Sequence, residues 1–321
     1  MPFSMNPEVG AAMANLFGTN PSPPPAVGDV EARRTLIAGL FGALQSQAPS
    51  PSVSGVDSED FYTQADDGHT LLCRWFTKQG VELSDSPAVC FAHGGGMICL
   101  NVDNYGFIIE NYVARTGVPF LAIDYRLAPE VHAPVPVTDV YAGLQYLHSH
   151  ATELGVNPDR IAVMGDSAGG GIAASVAHYA KSKGTPAICK QILIYPMLDD
   201  RNTELDEHIA PFALFSTDDN KTGWGALLGD RLGGDSVTPI EAAGRMTVED
   251  AKGLPPAYID VGELDIFREE DLQYALKLSR AQVSCEFHLL PAVPHAFEGL
   301  APDSEVSKTT MDNRYRAIMS F

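Results

Sequence analysis

Positive charge is scarce in this chain: 21 lysines and arginines stand against 41 aspartates and glutamates, a formal net charge of −20 at pH 7. A surface this acidic repels phosphate backbones and anionic headgroups, which argues against nucleic acid or a membrane as partner. No stretch reaches the roughly 20 apolar residues of a membrane span, and the N-terminus lacks a basic region leading into an apolar run; the expectation is a cytoplasmic protein. Cysteine is sparse too, and Cys73, Cys90, Cys99, Cys189 and Cys285 show no C-x-x-C spacing, so a disulfide framework is not expected. Nor is there a phosphate-binding loop, since Gly169-Gly170-Gly171 lacks a following Lys-Ser or Lys-Thr. No dinucleotide fingerprint and no metal-ligand cluster is found, and on a helix the His148-x-His150 pair points its rings apart. The expectation is chemistry without cofactor or metal. Asn220-Lys221-Thr222 is an acceptor sequon that stays idle without export.

Small residues in two clusters are what the chain does have. Ile161-Ala162-Val163-Met164 runs into Gly165-Asp166-Ser167-Ala168-Gly169, followed by Gly170-Gly171-Ile172-Ala173-Ala174. A serine placed where a strand turns sharply into a helix must take a strained backbone angle, and glycines on either side let the helix pack closely. The hydroxyl then projects above the helix N-terminus as a nucleophile. Upstream, Val89-Cys90-Phe91-Ala92 leads into His93-Gly94-Gly95-Gly96, a loop of the lipase and esterase type whose bare backbone can approach a substrate. Gly95 and Gly96, with the N–H of Ala168 after the serine, are the candidate donors to the oxyanion of a tetrahedral intermediate.

A serine nucleophile needs a base and an acid, which in this chain order follow it on loops after late strands. Ala257-Tyr258-Ile259-Asp260-Val261 ends in Gly262-Glu263-Leu264-Asp265, and Glu286-Phe287-His288-Leu289-Leu290 ends in Pro291-Ala292-Val293-Pro294-His295. Asp265 is the expected acid, with Glu263 its rival, and His295 the expected base. His288 alternates with apolar neighbours and reads as structural, His178 as part of the helix after the serine, and His69 and His208 as solvated.

At 321 residues with 45% hydrophobic content the chain can bury one large core. Strands are expected near 58–65, 71–77, 87–92, 118–124, 160–165, 189–195, 256–261 and 284–290, with helices at 104–116, 136–150, 167–182, 268–280 and 305–319. That alternation predicts a mostly parallel sheet covered on both faces, its first two strands an antiparallel hairpin at one edge. Residues 1–50, with helical patterns at 7–18 and 29–45 around the run Pro21-Ser22-Pro23-Pro24-Pro25, and residues 198–250, bearing Phe212, Leu214, Phe215, Trp224, Leu227 and Leu228, stand outside it.

With these motifs in this order, the chain resembles the hormone-sensitive-lipase family of α/β-hydrolases, the bacterial and fungal carboxylesterases of the GDSAG branch. The likeness covers residues 57–321 and extends to Asp124-Tyr125-Arg126-Leu127-Ala128-Pro129-Glu130 and to Asp265 with Arg268-Glu269-Glu270. It implies an α/β-hydrolase fold with an eight-stranded sheet and a helical cap: a catalytic domain at 51–321, an N-terminal cap segment at 1–50 and a second cap segment inserted at 198–250. It implies Ser167, Asp265 and His295 as the catalytic triad and Gly95, Gly96 and Ala168 as the oxyanion hole. His93, Gly94, Asp166, Tyr125 and Arg126 are expected to brace these loops by buried hydrogen bonds. Met97-Ile98-Cys99 after the glycines departs from the aromatic often found there, which leaves the acyl or alcohol pocket open.

The expected activity is hydrolysis of short- to medium-chain carboxylic esters, with a small-molecule ester as substrate. The same constellation would serve a lactonase, an esterase for an acetylated metabolite, or an acyltransferase. A non-catalytic receptor is the reading from another class, since the gibberellin receptors of plants resemble this family; their base histidine is replaced, whereas His295 is present. The strand at 284–290, with Val283, Phe287 and Leu289, is a candidate homodimer edge.

Overall fold

The apolar runs at the centre of the chain form one sheet of eight strands, in a computed structural model that describes residues 3–18, 24–46 and 55–321. The strands are β1 (Val56–Gln64), β2 (Thr70–Lys78), β3 (Ser86–Ala92), β4 (Phe120–Ile123), β5 (Val156–Asp166), β6 (Lys190–Ile194), β7 (Ala257–Gly262) and β8 (Cys285–Leu290). Their order is β1-β2-β4-β3-β5-β6-β7-β8. The β1–β2 and β2–β4 pairings are antiparallel and the other five parallel. Central strands such as Ile161–Met164 and Ala257–Val261 are buried throughout, as a sheet covered on both faces requires. Outermost β1 carries exposed Asp57, Ser58, Glu59 and Asp60, charges that discourage further strand pairing.

Among the described residues the helices are α1 (Pro7–Phe17), α2 (Val30–Gln45), α3 (Val102–Thr116), α4 (Val135–Ser149), α5 (Ala168–Lys183), α6 (Thr217–Leu228), α7 (Val248–Ala251), α8 (Arg268–Arg280), α9 (Phe297–Leu300) and α10 (Glu305–Ile318). Their ends are set by local chemistry. Asn101 caps α3 by accepting from Asn104 N–H, and left-handed Gly117 stops it. Ser216 and Asp219 form a reciprocal capping box at the start of α6. α5 is buried along most of its length because its glycines admit neighbouring backbone: a Cβ on Gly169 would overlap the Ala92 carbonyl, and one on Gly171 the Met197 carbonyl.

The sheet order places the functional loops side by side. Moving outward from β3, the chain goes to β4 on one side and β5 on the other, so β3 and β5 are parallel neighbours with Ala92 opposite Gly165. The loops leaving these two strands therefore emerge together at the carboxyl edge, where open α/β sheets bind ligands. The loops after β7 and β8 rise at the same edge. Against them lies α1: Asn6 N–H donates to the Ala292 carbonyl at 2.7 Å, and fully buried Val9 packs with Val293 and Phe297.

Strand and helix limits lie within a few residues of those expected. Residues 198–250 contain α6, α7 and two single 3-10 turns joined by irregular chain. Residues 21–23 of the proline run, and the boundary expected between residues 50 and 51, lie outside the described residues. Among the described residues no helix is long and apolar enough to cross a membrane. All five cysteines are free thiols.

Candidate active site

Ser167 sits between β5 and α5 with φ 55° and ψ −124°, a conformation that costs a residue with a side chain about 1–3 kcal/mol. Hydrogen bonds on both sides of the turn hold it there. Its N–H donates to the Ile194 carbonyl at 2.8 Å, and its carbonyl accepts from Met197 N–H at 2.9 Å and Gly171 N–H at 3.1 Å. Gly165 and Gly169 have no room for a Cβ, since one on Gly165 would collide with the Gly169 backbone across the turn and one on Gly169 with the Ala92 and His93 carbonyls at the end of β3.

His295 reaches this hydroxyl from the loop after β8. Its Nε2 lies 3.0 Å from Ser167 Oγ, and its Nδ1 lies 2.6 Å from Asp265 Oδ2. Asp265 has no solvent exposure, and its other oxygen accepts from Phe267 N–H at 3.0 Å, which fixes the carboxylate plane. With the imidazole proton on Nδ1 facing Asp265, the Nε2 lone pair faces the serine. Glu263 is turned elsewhere, accepting from Ala292 N–H at 3.0 Å and so bracing the histidine loop rather than the ring. Three aromatic rings surround His295, with centroids at 4.4 Å (Tyr195), 5.3 Å (Phe267) and 5.7 Å (Phe215).

The glycine loop forms the opposite wall. Gly95, Gly96 and Met97 all have positive φ, at 114°, 63° and 65°. A Cβ on Gly95 would overlap the Cys99 carbonyl, so only glycine fits. The Gly95 carbonyl accepts from Ile98 and Cys99 N–H, both at 3.1 Å, and the Met97 carbonyl from Ala128 N–H at 2.9 Å. Among the described residues no protein acceptor takes the N–H of Gly95 or Gly96. The roof comes close here, because the Gly223 backbone of α6 meets the Gly96 carbonyl and the Phe215 ring lies over Gly96.

The residues expected to brace these loops divide. His93 is buried and stacked on Tyr125 at 4.2 Å, and Tyr125 donates its hydroxyl to the His93 carbonyl at 2.7 Å. Burial lowers the His93 ring to about 4, so it is neutral and donates from Nδ1 to the Gly94 carbonyl at 2.7 Å. Asp166 accepts from the Tyr105 hydroxyl at 3.1 Å, and burial pushes its carboxyl up to about 7. Gly94 makes room for that hydroxyl, which a Cβ would strike. Arg126 pairs with buried Asp139 (2.7 Å) and exposed Asp67 (2.6 Å), tying the segment after β4 to α4. His288 lies in β8, 2.6 Å from Glu286, and His178 is buried in α5.

Sequence reasoning missed a buried network behind His295. Tyr195 donates its hydroxyl to Glu298 at 2.7 Å; Arg314 of α10 contacts the same Glu298 oxygen at 2.6 Å and grips Asp260 through two bonds of 2.8 and 2.9 Å. Burial alone would raise Glu298, but the Arg314 charge and the bonds from Arg314 and Tyr195 outweigh it and hold the carboxyl below its ordinary range. Nothing local in the sequence marks these partners. Taken together, the site can move a proton from a serine hydroxyl to an imidazole and offer backbone donors to a developing oxyanion.

Comparison with known proteins finds relatives of the same fold. A family model described as alpha/beta hydrolase fold matches residues 89–299. The chain is 34% identical over 218 residues to the carboxylesterase NlhH of Mycobacterium tuberculosis, covering 67% of each chain. It is 33% identical over 221 residues to the esterase LipI of the same organism, covering 68% of each. Among solved structures it is similar to a bacterial heroin esterase, with a TM-score of 0.88, 31% identity, and coverage of 98% of this chain and 97% of that one.

Proposed function

The chain belongs to the hormone-sensitive-lipase type of α/β-hydrolases and is a carboxylic ester hydrolase, and from that premise we propose that Ser167 carries the acyl group in a covalent intermediate. As Ser167 Oγ attacks the ester carbonyl, its proton passes to His295 Nε2, and Asp265 stabilises the imidazolium through Nδ1. The carbonyl oxygen, now negative, is met by the N–H groups of Gly95, Gly96 and Ala168, one such donor contributing roughly 3–4 kcal/mol. Collapse of the tetrahedral intermediate breaks the ester C–O bond, and His295 gives its proton to the departing alkoxide. Water then enters, loses a proton to His295, attacks the acyl carbon and releases the acid, returning Ser167 to its hydroxyl form.

The observation that carries this reading is the unbroken chain from Asp265 through His295 to Ser167, at 2.6 and 3.0 Å, facing a glycine loop with free donors. An intact serine–histidine pair supports catalysis over a purely ligand-binding role. Short- to medium-chain esters are the substrates, a choice supported by the ring of Phe215, Phe267 and Tyr195 around His295, which offers an apolar but limited space. Residues 1–50 and 198–250 act as the cap, supported by the ion pair that joins Arg33 of α2 to Asp219 of α6 at 2.8 Å. The outer edge of β8, where Leu289 is exposed, is the surface through which two copies would pair.

Hydrolysis of p-nitrophenyl esters from acetyl to palmitoyl, by the parent and by Ser167→Ala, tests the proposal. The parent is expected to peak at the short end and the variant to fall to background. Equal rates in the two proteins would remove Ser167 from the mechanism.

A further inference from the structure

Two consecutive arginines of α2 reach different parts of the molecule. Arg33 is almost wholly buried, reaches Asp219 in the capping box of α6, and donates to the Pro25 and Ala26 carbonyls. Arg34 turns to the glycine loop. Its Nε donates to the Ile98 carbonyl at 2.7 Å, its Nη2 to the Ala128 carbonyl at 3.0 Å, and the two terminal nitrogens grip Glu130 at 2.8 and 2.6 Å. Ile98 lies two residues beyond Gly96 and closes the turn through its own N–H to the Gly95 carbonyl; Ala128 is the residue whose N–H pins the Met97 carbonyl. One guanidinium thus holds both backbone segments that fix residues 95–98, three of which have positive φ.

We propose that Arg34 is a positioning residue for the oxyanion loop, so that a helix from the N-terminal part of the chain completes the transition-state site. The inference rests on the reading of Gly95 and Gly96 as oxyanion donors. A charge-assisted donor on the Ile98 carbonyl restrains its peptide plane, and the loop is then held with its free N–H groups facing Ser167. Glu130 orients the guanidinium; that ion pair is half-exposed, its Glu130 side chain 61% accessible, and on its own contributes little stability. The contribution lies in geometry, because preorganised donors lose their effect when displaced by a fraction of an ångström.

Arg34→Met keeps the apolar stem and removes the donors. The expected result is a fall in kcat on p-nitrophenyl acetate of about tenfold or more, with KM within about twofold of the parent. Affinity for a trifluoromethyl ketone, whose serine adduct places an oxyanion in the same hole, falls in proportion. Arg74→Met is the matched control, since Arg74 pairs with Asp60 of β1 and Asp103 of α3 rather than with the glycine-loop carbonyls; it leaves kcat and inhibitor affinity at parent values. Guanidinium ion at millimolar concentration partly restores Arg34→Gly. Should Arg34→Met fail to fold, Arg34→Lys, which keeps the charge but not the two-carbonyl reach, serves instead and shows an intermediate loss. Parent-like kcat and inhibitor affinity in either folded variant overturns the inference. A parent inactive on every ester overturns the proposed function and this inference with it.

Discussion

Replacing Asp166 by asparagine separates charge from shape beside Ser167. Asp166 is buried, one oxygen accepts from the Tyr105 hydroxyl at 3.1 Å, and the other has no partner. Burial is the main cause that pushes its carboxyl from an ordinary 3.8 up to about 7; the Tyr105 bond pulls the other way, and among nearby charges Glu298 raises it and Arg314 lowers it. The unfolded chain releases this proton near pH 4, whereas the folded protein keeps it to about 7, so stability is lost as pH rises through that window and levels off above it. At about 1.4 kcal/mol per pH unit the loss totals about 4 kcal/mol. Asparagine does not titrate, and its oxygen still accepts from Tyr105. Its amide N–H groups, placed where the unpartnered oxygen was, cost about 1–3 kcal/mol at every pH. Asp166→Asn is therefore expected to match the parent at pH 5 and to exceed it by about 1–3 kcal/mol at pH 8. Urea unfolding at the two pH values, followed by tryptophan fluorescence, measures both differences; other buried carboxyls cancel because both proteins retain them. A difference of the same size at pH 5 and pH 8 would refute a proton-bearing Asp166 in the folded state.

Two further substitutions probe the loops around His295. Asp265→Asn is expected to lower kcat by about 10⁴ with little change in Tm, because the histidine loses the partner that sets its tautomer. Glu263→Gln, at a side chain that accepts from the Ala292 N–H, is expected to stay within about tenfold of the parent in the same steady-state assay. Arg314→Met removes the cation shared by buried Asp260 and Glu298 and is expected to cost about 3–5 kcal/mol in urea unfolding at pH 7. A cost below about 1 kcal/mol would show that this buried network does not depend on Arg314.

How far the site was legible depended on whether its residues are tied to neighbours in sequence. Ser167 and the Gly94–Gly96 run announce themselves because a strained turn and a close backbone approach demand glycine at fixed offsets. Asp265 and His295 could be placed because chain order and strand ends restrict where an acid and a base can rise from this sheet. Tyr105, Tyr195, Glu298 and Arg314 gave no such signal. Their partners are far along the chain, Tyr105 on one helix meeting Asp166 at the end of β5, and a lone tyrosine or arginine carries no mark of what it will meet. Arg126 shows the converse: its motif drew it toward the serine, but Asp139, with no solvent exposure, and Asp67 take its guanidinium instead. The sheet itself was readable because fully buried strands leave continuous apolar runs, whereas residues 198–250 are largely irregular and have no period to read.

The docking of α1 against the loop that bears His295 has a consequence for how the protein is made. Asn6 and Val9 leave the ribosome long before their partners Ala292, Val293 and Phe297 are translated. At about 5–20 residues per second this leaves the apolar side of α1 waiting roughly 15–60 s for its binding surface. The β3 and β5 loops can be in place well before then. On the proposed mechanism, competence for turnover therefore waits until the segment after β8 has been made and has met α1, and a nascent protein stalled short of β8 would lack His295, the proposed base.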